Sequence, residues 1–451
     1  MVFAGKLRVK KRWWALAILT VAVVASPIWL GFGLWRIADA LQVSASMGAK
    51  LGCSGHFISG QDNQQILQDL ASYSPANSLL ELHYSSSNVA ANLLGIRQAS
   101  ATYRPGLGCT LDIGDTQPLD RLQLSSAKAD LSPGLPQQIS ASWQSKLDDL
   151  LAADNAKGLD SRALLLVKDG KLVAESYATG YNAYTPLLGW SMAKSVTAIM
   201  QGRMQQLGLV NENNMSLFDE WRSDRRASIR LSQLLQMTSG LDFDETYAPG
   251  TDAANMLFIA HDASALPLHS DIAYEPGRHF AYSSGTTNVI MRYLNQQLGG
   301  NQAALDFLHQ ELVQPLGLSH FYLETDPSGV FVGSSYLYAS GRDWASLGQL
   351  LLNNGNWQGQ QLLNKEWLFR ATQPNSSEND DRYGYQLWLN AGRNKAEDAR
   401  RWPQLPADAY AMLGNRKQVV MVIPSWNLVF VRLGWSKSDY PTAENISALM
   451  H

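Results

Sequence analysis

Two β-hairpin patterns, separated by a long helical section, constrain the fold of this chain most. The first, ALLLVKDGKLVAESYATG (residues 163–180), joins two apolar-rich runs at Asp169-Gly170, a pair that favours a type I′ turn. The second is QVVMVIPSWNLVFVRLGW (residues 418–435), and patterns between about 210 and 370 are mostly helical. Strands at both ends of one domain predict an α+β fold, in which distant segments close an antiparallel sheet around a helical insert.

The N-terminus differs in composition from the rest of the chain. Five basic residues come first: Lys6, Arg8, Lys10, Lys11 and Arg12. The apolar run from Trp13 to Trp35 is about 23 residues, or roughly 34 Å as a helix, which is enough to cross a bilayer. Because a basic flank stays in the cytoplasm, we expect a single-pass inner-membrane helix with the remainder in the periplasm. A signal peptide cleaved near Ala45-Ser46, giving a secreted protein, is the alternative.

The sequence therefore predicts four parts. Residues 1–12 form a cytoplasmic basic segment, 13–36 a transmembrane anchor, 37–135 a periplasmic N-terminal module and 136–451 the main domain. The module contains a short predicted helix, NQQILQDLASY, and no motif that indicates catalysis. With 36 Lys and Arg against 39 Asp and Glu, the net charge is −3, which gives no reason to expect nucleic acid as a partner.

Only two cysteines occur, Cys53 and Cys109, and both follow the apolar run. In an oxidising periplasm they are expected to form a disulfide; two free thiols are the alternative. Two cysteines without clustered histidines do not match a zinc site, so no metal is expected.

The stretch LGWSMAKSVTAIM (residues 188–200) places Ser191 at the start of an apolar, helix-periodic run. Lys194 follows one turn later on the same helical face. A neutral, partly desolvated lysine there can take the serine proton, and free N–H groups at a helix start can stabilise an oxyanion. The alternative is an N-cap serine beside a surface lysine. The same spacing recurs at Ser125 and Lys128, in a stretch that lacks the strand-then-helix setting.

The residues GWSMA also approach the Gly-x-Ser-x-Gly nucleophile elbow of α/β-hydrolases, with Ala193 in place of the second glycine. That fold needs regularly alternating strands and helices, and this pattern is missing. His261, His269, His279, His309 and His320 follow the serine, but none stands in a distinctive motif.

A second constellation is YEPGRHFAYSSGTTNVIMRYL (residues 274–294), in which Tyr282 and Ser284 follow a turn and precede a predicted helix. A tyrosine in such a loop can present its phenolic oxygen to a cleft. With its pKa lowered by a neighbouring lysine, it can act as a base for the serine and later as an acid for the leaving group. The alternative is a packing tyrosine with a capping serine.

Several segments, in the right order over about residues 140–435, resemble the serine β-lactamase and penicillin-binding-protein superfamily. SMAKS resembles its first motif, and YSS resembles the Tyr-x-Asn/Ser second motif. Three further segments resemble the class C-like branch that contains family VIII carboxylesterases and 6-aminohexanoate-dimer hydrolases: LLQMTSGLDFDE, YGYQLWL and YAMLGNRKQVVMVIPSWNLVFVRLG. The resemblance implies a β-lactamase-like sheet flanked by helices, and hydrolysis through an acyl-enzyme without metal or cofactor.

The resemblance also implies roles for single residues. Ser191 is expected to be the acylated nucleophile, with Lys194 assisting its deprotonation and Tyr282 as general acid/base. Ser284 is expected to be a hydrogen-bonding partner in the place often held by Asn. The backbone N–H of Asn415, which follows Gly414, is expected to pair with that of Ser191 as the oxyanion hole.

The third family motif is different in this chain, which has no Lys-Thr-Gly; Met412-Leu413-Gly414 takes its place. Without that lysine and hydroxyl, the usual grip on a β-lactam carboxylate is missing. Arg416 or Lys417 is either a surface charge or a substitute clamp. We therefore expect a small-molecule ester or amide substrate. The alternatives are a peptidase or β-lactamase directed at D-Ala peptides, and a catalytically silent, membrane-tethered binding module.

Overall fold

The computed structural model describes residues 33–124 and 131–450. The helices are α1 (Ile37–Phe57), α2 (Asn63–Ala71), α3 (Ala141–Ala156), α4 (Met192–Gln206), α5 (Leu231–Leu235), α6 (Asp252–Phe258), α7 (Ala265–Leu268), α8 (Ser284–Leu298), α9 (Asn301–Leu308), α10 (Gln314–Leu316), α11 (Gly341–Leu352), α12 (Lys365–Ala371) and α13 (Thr442–Met450). The strands are β1 (Leu80–Tyr84), β2 (Asn88–Leu93), β3 (Arg97–Arg104), β4 (Gly108–Leu111), β5 (Ser161–Lys168), β6 (Lys171–Tyr177), β7 (Leu187–Leu188), β8 (Phe321–Leu323), β9 (Leu337–Ala339), β10 (Asn356–Trp357), β11 (Gln360–Gln361), β12 (Trp388–Leu389), β13 (Tyr410–Gly414), β14 (Gln418–Ile423) and β15 (Leu428–Gly434).

The largest sheet has six antiparallel strands in the order β12-β13-β14-β15-β5-β6. Both predicted hairpins are confirmed: β5 pairs with β6 across Asp169-Gly170, whose φ values are +53° and +78°, and β14 pairs with β15. The pairing of β15 with β5 joins the two ends of the domain. The α+β sheet closed by distant segments is thereby confirmed, and an all-antiparallel main sheet is not that of an α/β-hydrolase.

Side chains along β5 point alternately to the two faces of this sheet, and helices cover both faces. Leu164 and Leu166 pack in one apolar cluster with Leu147 of α3 and Ile446 of α13. Leu165 and its neighbours on the other face belong to a larger cluster that includes α4, α8 and α11. The helix α4 is therefore fixed against the sheet along its length, which positions the residue at its start.

The N-terminal part, residues 33–124, is called the N-terminal module below. In it, α1 packs on the antiparallel sheet β1-β2-β3-β4. Cys53 on α1 and Cys109 on β4 form a disulfide, as expected from the sequence. The short helix predicted from NQQILQDLASY is present as α2. The boundary at residue 135 between the module and the main domain stays a prediction.

Two buried ion pairs join the N-terminal module to the rest of the protein. Lys50 on α1 contacts Glu324, and both side chains are almost fully buried, with 1% and 0% exposure. Asp69 of α2 accepts two hydrogen bonds from the Arg162 guanidinium, at 2.8 and 2.5 Å. Because breaking a buried pair leaves an uncompensated charge, these contacts hold the module in one position on the main domain.

The predicted transmembrane helix requires a correction. Residues 13–32 lie outside the described residues, and no helix within 33–124 or 131–450 is both long and apolar enough to cross a bilayer. At the end of the predicted span, Leu34–Arg36 form a 3₁₀ turn that leads into α1. That helix carries Asp39 and Lys50 and packs in the module. The transmembrane element of the predicted fold, and the inner-membrane location drawn from it, are contradicted on this finding.

Candidate active site

Ser191 lies at the N-terminus of α4, directly after β7 and a tight turn. The preceding residue, Trp190, has φ +48°, in the left-handed region that non-glycine residues seldom adopt. Ser191 occupies the N-cap position, but its side chain makes no capping hydrogen bond. Its hydroxyl instead accepts a hydrogen bond of 2.9 Å from the Lys194 ammonium. The serine is thus turned toward the lysine rather than used to cap the helix.

Lys194 is a buried residue, with 1% exposure, and not the surface lysine of the alternative interpretation. Its Nζ also donates to the Ser284 hydroxyl at 2.9 Å and to the Ser334 carbonyl at 3.0 Å. Burial lowers the pKa of Lys194 to about 8, and the negative charge of Glu245 opposes this shift. About a tenth of the amine is therefore neutral at pH 7 and about half at pH 8, far more than for an ordinary lysine, and a neutral amine is what a general base requires.

Tyr282 lies beside this pair, with the Lys194 Nζ 4.8 Å from the centre of its ring. Burial raises the pKa of Tyr282, its hydrogen bond with Ser191 opposes the shift, and the charge of Glu245 adds to it. The expected lowering of the Tyr282 pKa by the lysine is therefore wrong, because the ammonium contacts the ring face and the phenol is desolvated. At neutral pH the phenol is protonated and can donate a proton.

A carboxylate that the sequence analysis did not single out completes the network. Glu245 accepts hydrogen bonds of 2.6 Å from both the Oγ and the backbone N–H of Ser284. Tyr247 donates to the same carboxylate at 2.9 Å, and its hydroxyl lies 2.9 Å from Ser284 Oγ. The segment LLQMTSGLDFDE ends at Glu245, so the family resemblance gave a signal for this residue. No motif or spacing in the sequence gave a signal for Tyr247.

An aromatic wall flanks the site. Tyr282 stacks on Trp388 with ring centres 5.2 Å apart, and Tyr383 meets Trp388 edge-on at 4.8 Å. Phe280 packs on Tyr383 at 5.2 Å, and the guanidinium of Arg401 lies 4.5 Å from the Trp388 ring. The four aromatic residues come from two segments of the chain about 100 positions apart, which is why no local motif predicted the wall.

The predicted oxyanion segment ends β13. Gly414 lies so close to the turn before Ser191 that a Cβ there would collide with the Gly189 carbonyl oxygen. Asn415 follows at the exposed end of the strand. The end of β13 therefore meets the turn that leads into α4, and these are the two segments expected to supply the oxyanion N–H groups. The role of Asn415 stays a prediction.

Both of the next two cations have partners away from Ser191. The Arg416 guanidinium lies 4.0 Å from the Tyr73 ring centre, and Lys417 pairs with Asp439 at the surface. Lys417 is thus a surface charge, whereas Arg416 is engaged by the N-terminal module. The second Ser-x-x-Lys match, Ser125 and Lys128, lies outside the described residues.

The comparisons with known proteins agree with this fold. The model of the beta-lactamase family matches residues 147–447. A structure described as a 6-aminohexanoate-dimer hydrolase from Bacillus anthracis is 18% identical, with a TM-score of 0.57, covering 74% of this chain and 91% of that one. A family VIII carboxylesterase is 15% identical, with a TM-score of 0.54, covering 69% and 98%. A penicillin-binding protein from Bacillus halodurans is 17% identical, with a TM-score of 0.51, covering 66% and 98%.

Among curated proteins, none matches the chain significantly. The family match spans about two thirds of the chain, and the protein belongs to the beta-lactamase family. The solved structures share its fold at low identity. Membership of this family supports an enzyme of the serine-hydrolase class.

Proposed function

We propose that the protein hydrolyses an ester or amide of a small molecule through an acyl-enzyme on Ser191. The observation that carries the proposal is the bond from the buried Lys194 amine to the Ser191 hydroxyl. No carboxylate among the described residues pairs directly with this amine, and burial lowers its pKa to about 8. A neutral amine within 2.9 Å of a serine hydroxyl is the arrangement that activates a nucleophile.

Acylation begins when the Ser191 Oγ attacks the substrate carbonyl carbon and its proton passes to the neutral Lys194 amine. The negative charge that develops on the carbonyl oxygen is stabilised by backbone N–H groups at the start of α4 and at Asn415. The tetrahedral intermediate then collapses, and the leaving oxygen or nitrogen departs with a proton. Tyr282, which burial keeps protonated, is the nearest phenol to supply that proton.

Water then opens the acyl-enzyme. Lys194, neutral again after a proton has returned through Tyr282 to the leaving group, takes a proton from the attacking water. The new carbonyl–oxygen bond forms, the bond to Ser191 Oγ breaks, and the serine recovers its proton. Glu245 is connected to the amine through the Ser284 hydroxyl. At that distance its charge stabilises the ammonium without forming a direct ion pair with it.

Two observations support an ester or amide without a carboxylate near the scissile bond. Met412-Leu413-Gly414 offers neither ammonium nor hydroxyl, and Arg416 and Lys417 are engaged elsewhere. The wall formed by Tyr282 and Trp388 is apolar and aromatic, which suits an apolar acyl or leaving group.

The test is a side-by-side measurement of kcat/KM for short p-nitrophenyl esters, linear amides and nitrocefin. We expect the best ester to exceed nitrocefin by about 100-fold, which corresponds to about 2.7 kcal/mol of differential transition-state binding. Efficient cephalosporin hydrolysis with negligible ester turnover would instead support a β-lactamase.

Covalent labelling tests the nucleophile separately from the substrate. A fluorophosphonate is expected to add once, and peptide mapping is expected to place the adduct on Ser191. Ser191→Ala is expected to abolish both labelling and turnover, and Tyr282→Phe to lower turnover by about 10²–10⁴-fold with little change in Tm. An adduct on Ser125 would contradict the assignment, and a protein that takes no label would favour a silent binding module.

A further inference from the structure

The residue immediately before the nucleophile packs on the N-terminal module. Trp190 is 6% exposed and belongs to the same apolar cluster as α1 and the module sheet. Its ring centre lies 6.0 Å from that of Tyr73, nearly perpendicular to it, and 6.5 Å from that of Trp435. Because Trp190 is held at φ +48°, its side-chain packing helps to fix the turn that presents the Ser191 N–H.

The residue after the second expected oxyanion donor also packs on Tyr73. The Arg416 guanidinium stacks 4.0 Å from the centre of that ring. Arg416 and Lys417 both have left-handed backbone conformations, with φ +60° and +63°. The buried Arg432 donates to both of their carbonyl oxygens, at 3.0 and 2.8 Å, so the turn is held from the sheet side as well.

The segment that carries Tyr73 is itself anchored. Asp69, one turn earlier, takes the two hydrogen bonds from Arg162. The Trp435 indole N–H lies 3.2 Å from the Asp69 carbonyl and 3.0 Å from the Ser72 hydroxyl. Tyr73 is thus a fixed support rather than a mobile surface ring.

We propose that Tyr73 is a positioning residue that holds the two halves of the oxyanion hole in register. Its ring packs against both Trp190 and Arg416, and these residues adjoin Ser191 and Asn415 in the sequence. The inference rests on the proposed function, since it concerns the same acyl transfer. It gives the N-terminal module, which contains no catalytic motif, a part in catalysis: small displacements of oxyanion donors cost far more in the transition state than in substrate binding.

The test compares Tyr73→Ala and Tyr73→Phe with the wild-type full chain. Active sites are titrated with fluorophosphonate, so that kcat is given per reactive serine. For Tyr73→Ala we expect kcat on a p-nitrophenyl ester to fall about 30-fold with KM within about twofold. The inhibition constant of phenylboronic acid, whose tetrahedral adduct places a hydroxyl in the oxyanion hole, is expected to rise by a similar factor. Tyr73→Phe keeps the ring contacts and is expected to stay within about threefold of wild type.

Tyr84→Ala is the matched control, because Tyr84 is another half-buried tyrosine of the module, and its ring packs on His56 within the module. It is expected to leave kcat per titrated site unchanged. If Tyr73→Ala does not fold, Tyr73→Leu replaces it with most of the volume kept.

Wild-type kcat per titrated site in Tyr73→Ala or Tyr73→Leu, or an equal loss in Tyr84→Ala, would overturn the inference while leaving the proposed function intact. A wild-type chain that neither turns over esters nor labels at Ser191 would contradict the proposed function, and the positioning role with it.

Discussion

The molecule contains two buried lysines in closely similar settings. Lys194 and Lys50 are each 1% exposed, and each donates to a serine on its own helix, Ser191 at 2.9 Å and Ser54 at 3.2 Å. Each ammonium also lies over a tyrosine ring, at 4.8 and 4.2 Å from the centre. Burial lowers the pKa of both amines. Burial alone does not separate them, although the order and spacing do: Ser191 precedes Lys194 by three residues, whereas Ser54 follows Lys50 by four.

The carboxylates distinguish the two sites. Glu324 contacts Lys50 directly and also accepts from Ser54 and from the Cys109 N–H, so the pair is closed on all sides. Glu245 reaches Lys194 only through the Ser284 hydroxyl. A carboxylate in direct contact with an ammonium stabilises its charged form, so that the pair serves the structure. A carboxylate that reaches the amine only through an intervening hydroxyl stabilises the charge less, and the amine can still lose its proton. If Lys194 acts as proposed, its charged partner rather than its burial distinguishes the reactive lysine from the structural one.

The largest expected effect concerns the reactive lysine. Lys194→Met keeps a long apolar side chain but removes the base, so kcat/KM is expected to fall about 10³–10⁴-fold, or about 4–5.5 kcal/mol. The free energy of unfolding, measured by urea titration, is expected not to fall. The substitution removes a buried polar amine that has no direct counter-ion, and burying such a group costs free energy. A variant that loses stability but keeps turnover per folded molecule would reverse the assignment of the two lysines.

The structural lysine should behave in the opposite way. Lys50→Met leaves Glu324 buried without its counter-ion and is expected to lower the free energy of unfolding by about 3–5 kcal/mol, with kcat per titrated site within about threefold. In Lys50→Met/Glu324→Gln, the amide still accepts from Cys109 but carries no charge. We expect this double variant to recover more than half of the loss. A double variant no more stable than the single one would show that the pair is not the cause.

The disulfide is expected to matter less, and again for stability alone. Cys53→Ala/Cys109→Ala opens a link between residues 56 positions apart and is expected to cost about 2–4 kcal/mol in urea unfolding. Non-reducing peptide mapping of the wild type should show the two cysteine peptides joined. Full alkylation of both thiols in unreduced protein would contradict the bridge.

The smallest effect is a shift in pH dependence. In the proposed mechanism neutral Lys194 is the active form, so kcat/KM is expected to fall as pH drops below about 8 and to level off above it. The Glu245 charge raises the pKa of Lys194, so Glu245→Gln should move this acid limb to lower pH. Glu275→Gln, at an exposed pair with Arg225, is the control and should leave the limb in place. An upward shift in Glu245→Gln would contradict the network.

The sequence predicted what depends on local spacing. Both hairpins follow from alternating apolar runs and turn residues, and Ser191 and Lys194 meet because they are one helical turn apart. The direction of the Tyr282 pKa shift was wrong, because it depends on whether the ammonium meets the ring or the hydroxyl, and no spacing encodes that. Tyr73 was missed because its contacts lie more than 100 residues away along the chain. The anchor was inferred from hydropathy alone.

The pairing of β15 with β5 has a consequence for biosynthesis. Leu428 pairs with Lys168, which is made 260 residues earlier. At a synthesis rate of about 5–20 residues per second, roughly 13–50 s pass between the synthesis of β5 and that of β15. During that interval the edge of β5 opposite β6 has no partner strand, and Gly414, which lies against the Gly189 carbonyl in the turn before Ser191, has not yet been made. We therefore expect the proposed site to be complete only when translation is nearly finished, and prematurely terminated chains to lack activity and, with an open sheet edge, to be prone to aggregate.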